Sequence, residues 1–514
     1  VSESVKTKAI PEYLMGQAEQ TSLGLKGRLL GAISSPRIFQ VICLLFFLFV
    51  LKLAFFDYEY HWAQPENYNY SLKSALRDGP GLHLSSFIAA LDTPNFNDGS
   101  RGRQLSFLFQ ILNGKFQAWV FNNIGPHPTA SLNWFFVLGL SPIFFFLFLR
   151  NLIGSSGPAW GGLAVYTASA GYLSSVFLSF HPGKPIGNCF MILCLYVASK
   201  IWLQLKASKE FQREQFHWFS LLLGLMFLSF FLDEVTWFVG IAIPVLFPSL
   251  FLVGKHRLLR VVSFSSTFAV YLGIQIFAMP KIVKALNLTP FDFLGANIAT
   301  NEGLAKLNLI DFIDKLSKNA GNLFHSQTAL RAEPGWLFYL NVITLIAFLL
   351  AILVLDRPQR DIFIRSCLVL ALFTVFQVML LTRHMGVIIS TFYYGCMFSV
   401  FFAVVVANLF AIKFSRLLIL LQGGLVVILI SSFLHFRDVN GGWKWGHQWL
   451  IKTWFPRLAE GLRQEVPSER ENIIRIWKQI HAGADPRDFR DQLGTQEIWM
   501  ILLPLLSQGE TLEY

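Results

Sequence analysis

Apolar residues in this chain run in long blocks, and the polar residues gather in the breaks between them. A helix that crosses a bilayer needs about 20 mostly apolar residues. Eleven stretches meet that measure, at 38–56, 132–150, 158–179, 186–204, 216–232, 235–253, 259–279, 336–355, 363–381, 387–411 and 416–434. The pattern predicts an all-α polytopic membrane protein of about 11 transmembrane helices with large external loops. A polar arm, 1–37, precedes the transmembrane domain, 38–434, and a tail of mixed charge, 435–514, follows it.

The breaks alternate in character. Cytoplasmic loops of membrane proteins are enriched in Lys and Arg. With the N-terminal arm inside, the inner breaks carry Arg150, then Lys206, Lys209 and Arg213, then Lys255, Arg257 and Arg260, then Arg357, Arg360 and Arg365, then Lys413 and Arg416. The outer side receives 57–130, 280–335 and the tail 435–514. The expected topology is therefore a cytoplasmic N-terminus and an extracytoplasmic C-terminus. Residues 303–318 within the second loop have a helical apolar pattern suited to lying along the membrane surface. Trp443, Trp445, Trp449 and Trp454 suit an interfacial belt just past the last span.

Composition agrees. The chain is 54% hydrophobic and 14% charged, with mean hydropathy +0.51, which departs from soluble domains. A net charge of +11 invites a nucleic-acid reading, but the basic residues fall mainly in the breaks, so topology accounts for them and no nucleic-acid partner is expected. The five cysteines lie in apolar stretches and form no metal-type cluster. The 52 phenylalanines suit lipid-facing helices and a groove for an acyl or isoprenoid chain.

Five polar groups fall on the outer side. They are Asp57 with Glu59; Asp92, Asp98, Arg101 and Arg103; His181 with Lys184; Asp233 with Glu234; and Arg383 with His384. Ionisable groups at membrane depth are costly and often functional. Each group also has a structural reading, since interfacial cations snorkel and turn acids cap helices. What singles them out is that distant parts of the chain present them at one membrane level. A carboxylate there can act as general base or bind a divalent cation. Arginine and lysine can hold a phosphate and stabilise charge on a leaving group. Glycosyl transfer from a lipid-linked sugar uses both capacities.

The order of these features resembles the GT-C superfamily of polytopic glycosyltransferases, in particular its protein O-mannosyltransferase-like branch. Asp57-Tyr58-Glu59 stands where that branch has an acidic motif opening its first external loop. Arg101-Gly102-Arg103-Gln104-Leu105-Ser106, running on through Leu112-Asn113-Gly114 to Asn133-Trp134, is similar to a later segment of that loop. His181-Pro182, Asp233-Glu234 and Arg383-His384 are similar to paired motifs at later helix ends. The departures are an Asp-x-Glu where relatives often have adjacent acids, Asp233 where they have Lys, and His384 where they have an aromatic residue. The likeness spans roughly 38–410.

The resemblance implies an inverting transferase that uses a polyprenyl-phosphate sugar, in a plasma membrane of the bacterial inner-membrane type. It implies Asp57 as base or metal ligand with Glu59 as its helper, and Mg or Mn as the divalent cation if one is used. It implies Arg103 and Arg383 as anchors for phosphate or acceptor, with His181 and Lys184 as further candidates for the lipid phosphate. The other outer-side residues, Asp92, Asp98, Arg101, Asp233, Glu234 and His384, are expected around the substrate. The expected partners are a lipid-linked donor, membrane lipids, and a protein acceptor or complex partner reached through 435–514. Two other classes fit the pattern: an inactive accessory subunit of a membrane complex, and a transporter of lipid-linked sugars. The near absence of charge within the spans, Lys52 apart, speaks against a proton-coupled pump.

Overall fold

The computed structural model describes residues 102–123, 132–177, 183–208, 213–288, 355–382 and 391–411, together with Phe211 and ten isolated positions (40, 41, 44, 45, 48, 293, 313, 314, 475 and 479). Among the described residues every regular element is helical, and there is no strand. In chain order the helices are α1 (Gln104–Asn123), α2 (Phe135–Ile153), α3 (Ser156–Ala168), α4 (Ala170–Phe177), α5 (Gly183–Ser208) and α6 (Arg213–Phe230). A tight turn, Glu234–Phe238, then leads into α7 (Val239–Leu246), followed by α8 (Arg257–Ala285), α9 (Arg357–Thr382) and α10 (Thr391–Leu409).

Four helical stretches are long and apolar enough to cross a membrane: Phe135–Ile153, Gly183–Ala207, Arg257–Ala285 and Arg357–Leu380. They occupy the places expected at 132–150, 186–204, 259–279 and 363–381. The stretches 216–232 and 387–411 coincide with α6 and α10. Those at 38–56, 336–355 and 416–434 fall outside the described residues, apart from single positions.

Two expected spans are not continuous helices. The stretch 158–179 breaks at Ser169, whose backbone is extended (ψ 145°) between α3 and α4. Its hydroxyl donates to the Tyr166 carbonyl at 2.7 Å and accepts from the Tyr172 amide at 3.2 Å, so one side chain serves both helix ends. The stretch 235–253 breaks at Phe247-Pro248. A residue before proline is pushed out of the helical region, and Phe247 sits at φ −127°, ψ 57°. Arg260, buried at the start of α8, closes that break: its Nε donates to Leu250 O at 2.6 Å, its Nη2 donates to Val253 O, and its guanidinium lies 4.3 Å from the Phe211 ring centre. A third difference concerns α1, which lies within the segment expected to be an external loop.

Proline shapes two of the long helices in the same way. In α2 the stretch Phe135–Leu140 is widened to a π-helix just before Ser141-Pro142, and in α8 Ile274–Ala278 is widened just before Met279-Pro280. A proline ring clashes with the carbonyl four residues earlier and has no N–H to offer. The wider turn relieves the clash. Its signature is the Ser141 amide bonding to Phe136 O and the Met279 amide to Ile274 O, each five residues back. Val137 O would take its five-back bond from Pro142, which has no proton to give. Tyr172 supplies it instead, its hydroxyl donating at 3.1 Å.

α5 lies between α2 and α6, while α10 packs against α3, α4 and α9. In lipid such contacts rest on close packing and hydrogen bonds more than on escape from water. Aromatic rings supply much of the packing here. Phe238 meets Phe373 of α9 at 5.0 Å and Phe401 of α10 at 5.5 Å, fixing the start of α7 in the bundle. The ends of α5 define two levels. Lys184 and Lys206 lie about 33 Å apart along its axis at roughly 1.5 Å per residue, close to the ~30 Å thickness of a hydrocarbon core. The candidate site belongs to the Lys184 end.

Candidate functional site

At that end four side chains from three parts of the chain converge. Arg103 stands just before α1, Lys184 in the first turn of α5, and Asp233 and Glu234 in the elbow between α6 and α7. Arg103 donates from Nε and Nη2 to Glu234 Oε2, both at 2.6 Å. Lys184 Nζ donates to Asp233 Oδ2 at 2.7 Å, and Arg103 Nη2 approaches the same oxygen at 3.6 Å. Two cations thus balance two carboxylates. The side chains are 11% (Arg103), 8% (Lys184), 2% (Asp233) and 5% (Glu234) exposed, so the quartet is nearly sealed and Arg103 is its most open member.

The local sequence explains the placement. Asp233 is the N-cap of the Glu234–Phe238 turn, and its Oδ1 accepts from the Val235 amide at 3.0 Å. One carboxylate oxygen therefore holds the elbow while the other faces Lys184. Thr236 adds to the elbow, its hydroxyl in reach of Ser229 O and Asp233 O, both at 2.6 Å. Lys184 reaches the site because α5 begins at Gly183, earlier than the expected 186. Pro185 is tolerated there because the amides of a first helical turn lack intrahelical partners anyway.

Residues 102–106 are pinned one after another. The Tyr271 hydroxyl donates to Gly102 O at 3.4 Å. Gly102 has φ +83°, and a Cβ there would overlap the Tyr271 hydroxyl, so only glycine fits. Arg103 is held by the carboxylates. Gln104 and Gln275 exchange amide hydrogen bonds at 2.8 and 2.9 Å. The amides of Leu105 and Ser106 point at Phe231 O, at 3.1 and 3.4 Å. Ser106 then rests on Gly183, where a Cβ would overlap the Ser106 hydroxyl. Further along α1, Phe109 packs edge-on to Phe136 at 5.4 Å, and Asn113 Oδ1 accepts from the Leu132 amide at 2.6 Å. α1 therefore runs from α8 past the α6–α7 elbow and the start of α5 to the start of α2.

Of the twelve residues singled out in the sequence, the structure brings together Arg103, Lys184, Asp233 and Glu234. Asp57, Glu59, Asp92, Asp98, Arg101, His181, Arg383 and His384 lie outside the described residues. Tyr271 and Gln275 join the site without having been singled out. A glutamine inside an apolar run was the available signal for Gln275, since a buried amide requires a partner. Among the described residues no group of three or more His, Cys, Asp or Glu is arranged to hold a metal ion. The quartet itself offers paired cations that can attract an anion and paired carboxylates that neutralise them. No family model, no curated protein and no solved structure matches this chain.

Proposed function

We propose that this chain is a membrane glycosyltransferase that moves a sugar from a polyprenyl-phosphate donor to an extracytoplasmic acceptor. The observation that carries the reading is the buried quartet of Arg103, Lys184, Asp233 and Glu234 at one end of membrane-length helices. Burying four charges in a greasy bundle is costly unless each is paired. In this reading the quartet ties the 57–130 segment to the helix ends at Arg103. Asp57 serves as general base on the acceptor or as ligand to Mg or Mn, and Arg103 and Arg383 face the donor phosphate. The donor's chain lies among the phenylalanine-rich helices, and the tail 435–514 meets the acceptor or a partner protein.

A second reading is an inactive accessory subunit. What favours it is the mutual neutralisation of the quartet, which serves as a structural clamp without any ligand. The two are separated by incubating the purified chain in lipid with labelled polyprenyl-phosphate sugars, with and without EDTA. Release or transfer of the sugar supports the enzyme. Intact donors throughout, with folded protein, support the accessory subunit. Loss of transfer in EDTA assigns the divalent cation.

A further inference from the structure

One helical turn below Lys184, the same face of α5 carries Asn188, which is 2% exposed. Its Nδ2 donates to the Tyr166 hydroxyl at 2.9 Å. Its Oδ1, fully buried, has no hydrogen-bond partner among the described residues. The Tyr166 hydroxyl accepts that bond, and its own proton has no acceptor among the described residues. Tyr166 is 0% exposed, enclosed by the rings of Phe145 at 4.7 Å and Tyr172 at 4.9 Å. A buried acceptor and a buried donor thus stand side by side, each short of one bond.

Turning the amide over does not cure this. Tyr166 could then donate to Oδ1, but the two N–H groups of Nδ2 would face the position Oδ1 now holds. In either orientation one polar end of Asn188 needs a partner that the described protein atoms do not supply. A buried polar group left unpaired costs roughly 1–3 kcal/mol, and in a bilayer no solvent is at hand to offset it.

We infer that Asn188 and Tyr166 bind an internal water molecule, which accepts the Tyr166 proton and donates to Asn188 Oδ1. The chemistry of the neighbours selects water over an ion. Lys184 sits four residues earlier on α5, about 5–6 Å away between Cβ atoms, and its positive charge disfavours a metal cation. A carbonyl oxygen as the open end disfavours an anion. Water is small, neutral and able to donate and accept at once, and buried waters typically make about three such bonds. The site extends the polar column of Arg103, Glu234, Asp233 and Lys184 one turn deeper into the bundle. It depends on these contacts and not on the transferase reading.

X-ray radiolytic footprinting of the full-length protein in lipid tests this. The radiation converts a bound water into a hydroxyl radical that oxidises the side chain beside it, even where bulk solvent cannot reach. Tyr166 is expected to be oxidised despite its burial. Phe373, also 0% exposed but ringed by Phe238 and Phe401, is the internal control and is expected to be spared. Asn188→Leu, in a protein that still folds, is expected to reduce Tyr166 oxidation several-fold. A Tyr166 oxidised no more than Phe373 in the parent protein would overturn the inference, and so would oxidation unchanged by Asn188→Leu. Should that variant fail to fold, the parent comparison decides alone.

Discussion

Lys184 and Asp233 meet at 2.7 Å, joining the first turn of α5 to the elbow between α6 and α7, and Arg103 leans on the same carboxylate oxygen. Removing one member of a buried ion pair strands the other. Asp233→Asn keeps the size and the cap but leaves Lys184 without its counter-charge. A loss of about 3–5 kcal/mol is expected, read as a lowered thermal midpoint in detergent. Removing the stranded cation as well, Asp233→Asn with Lys184→Met, is expected to cost less than Asp233→Asn alone, because the cap is kept and Arg103 retains Glu234. A double variant at least as unstable as the single one would contradict the pairing.

Gly183 is where α1 touches α5. A Cβ there would overlap the Ser106 hydroxyl and come within 2.7 Å of the Leu232 carbonyl, a backbone atom that cannot easily withdraw. Overpacking of this kind costs about 1–3 kcal/mol. Gly183→Ala is therefore expected to destabilise the protein by that amount. Adding Ser106→Gly should recover part of the loss by removing one of the two clashes, with thermal unfolding as the readout. No recovery at all would mean that α1 does not seat on α5 as described.

Tyr172 and Pro142 form a second testable couple. The proline deprives Val137 O of its backbone donor, and Tyr172 replaces it at 3.1 Å. Tyr172→Phe is expected to cost about 1–3 kcal/mol by leaving a buried carbonyl unpaired. In a Pro142→Ala background an amide N–H returns and the helix is free to regularise. The same Tyr172→Phe change should then cost clearly less. Equal losses in the two backgrounds would show that the hydroxyl does not compensate the proline.

Much of the helical layout was legible in the sequence because apolar runs of membrane length carry little ambiguity. The breaks were harder. Pro244 and Pro248 were visible within 235–253, yet a run that reads as apolar throughout hides the break at Phe247. Ser169 gives even less warning, because its effect depends on bonding Tyr166 and Tyr172 at once. The helical nature of α1 was masked by its polar surroundings and by the acids and arginines that made the whole segment read as a loop. Arg103, Lys184, Asp233 and Glu234 each stand out in the sequence as charges between apolar runs, but in three separate groups. Their pairing does not, since Arg103 and Glu234 are 131 positions apart and no local pattern announces such a contact. Gln275 escaped for a related reason: it carries no charge, and its role appears only when Gln104 lies opposite.

In the proposed transferase Asp57 is the general base. Asp57→Asn keeps the shape and one acceptor oxygen while removing the charge. The direct measurement is the rate of sugar transfer from a labelled polyprenyl-phosphate donor by this variant, against the parent, with both expressed and folded alike. A fall of roughly 10²–10⁴-fold is predicted for loss of a general base, with a stability change within about 0.5 kcal/mol. Transfer by Asp57→Asn at the parent rate, or no transfer by the parent from any such donor, would contradict it.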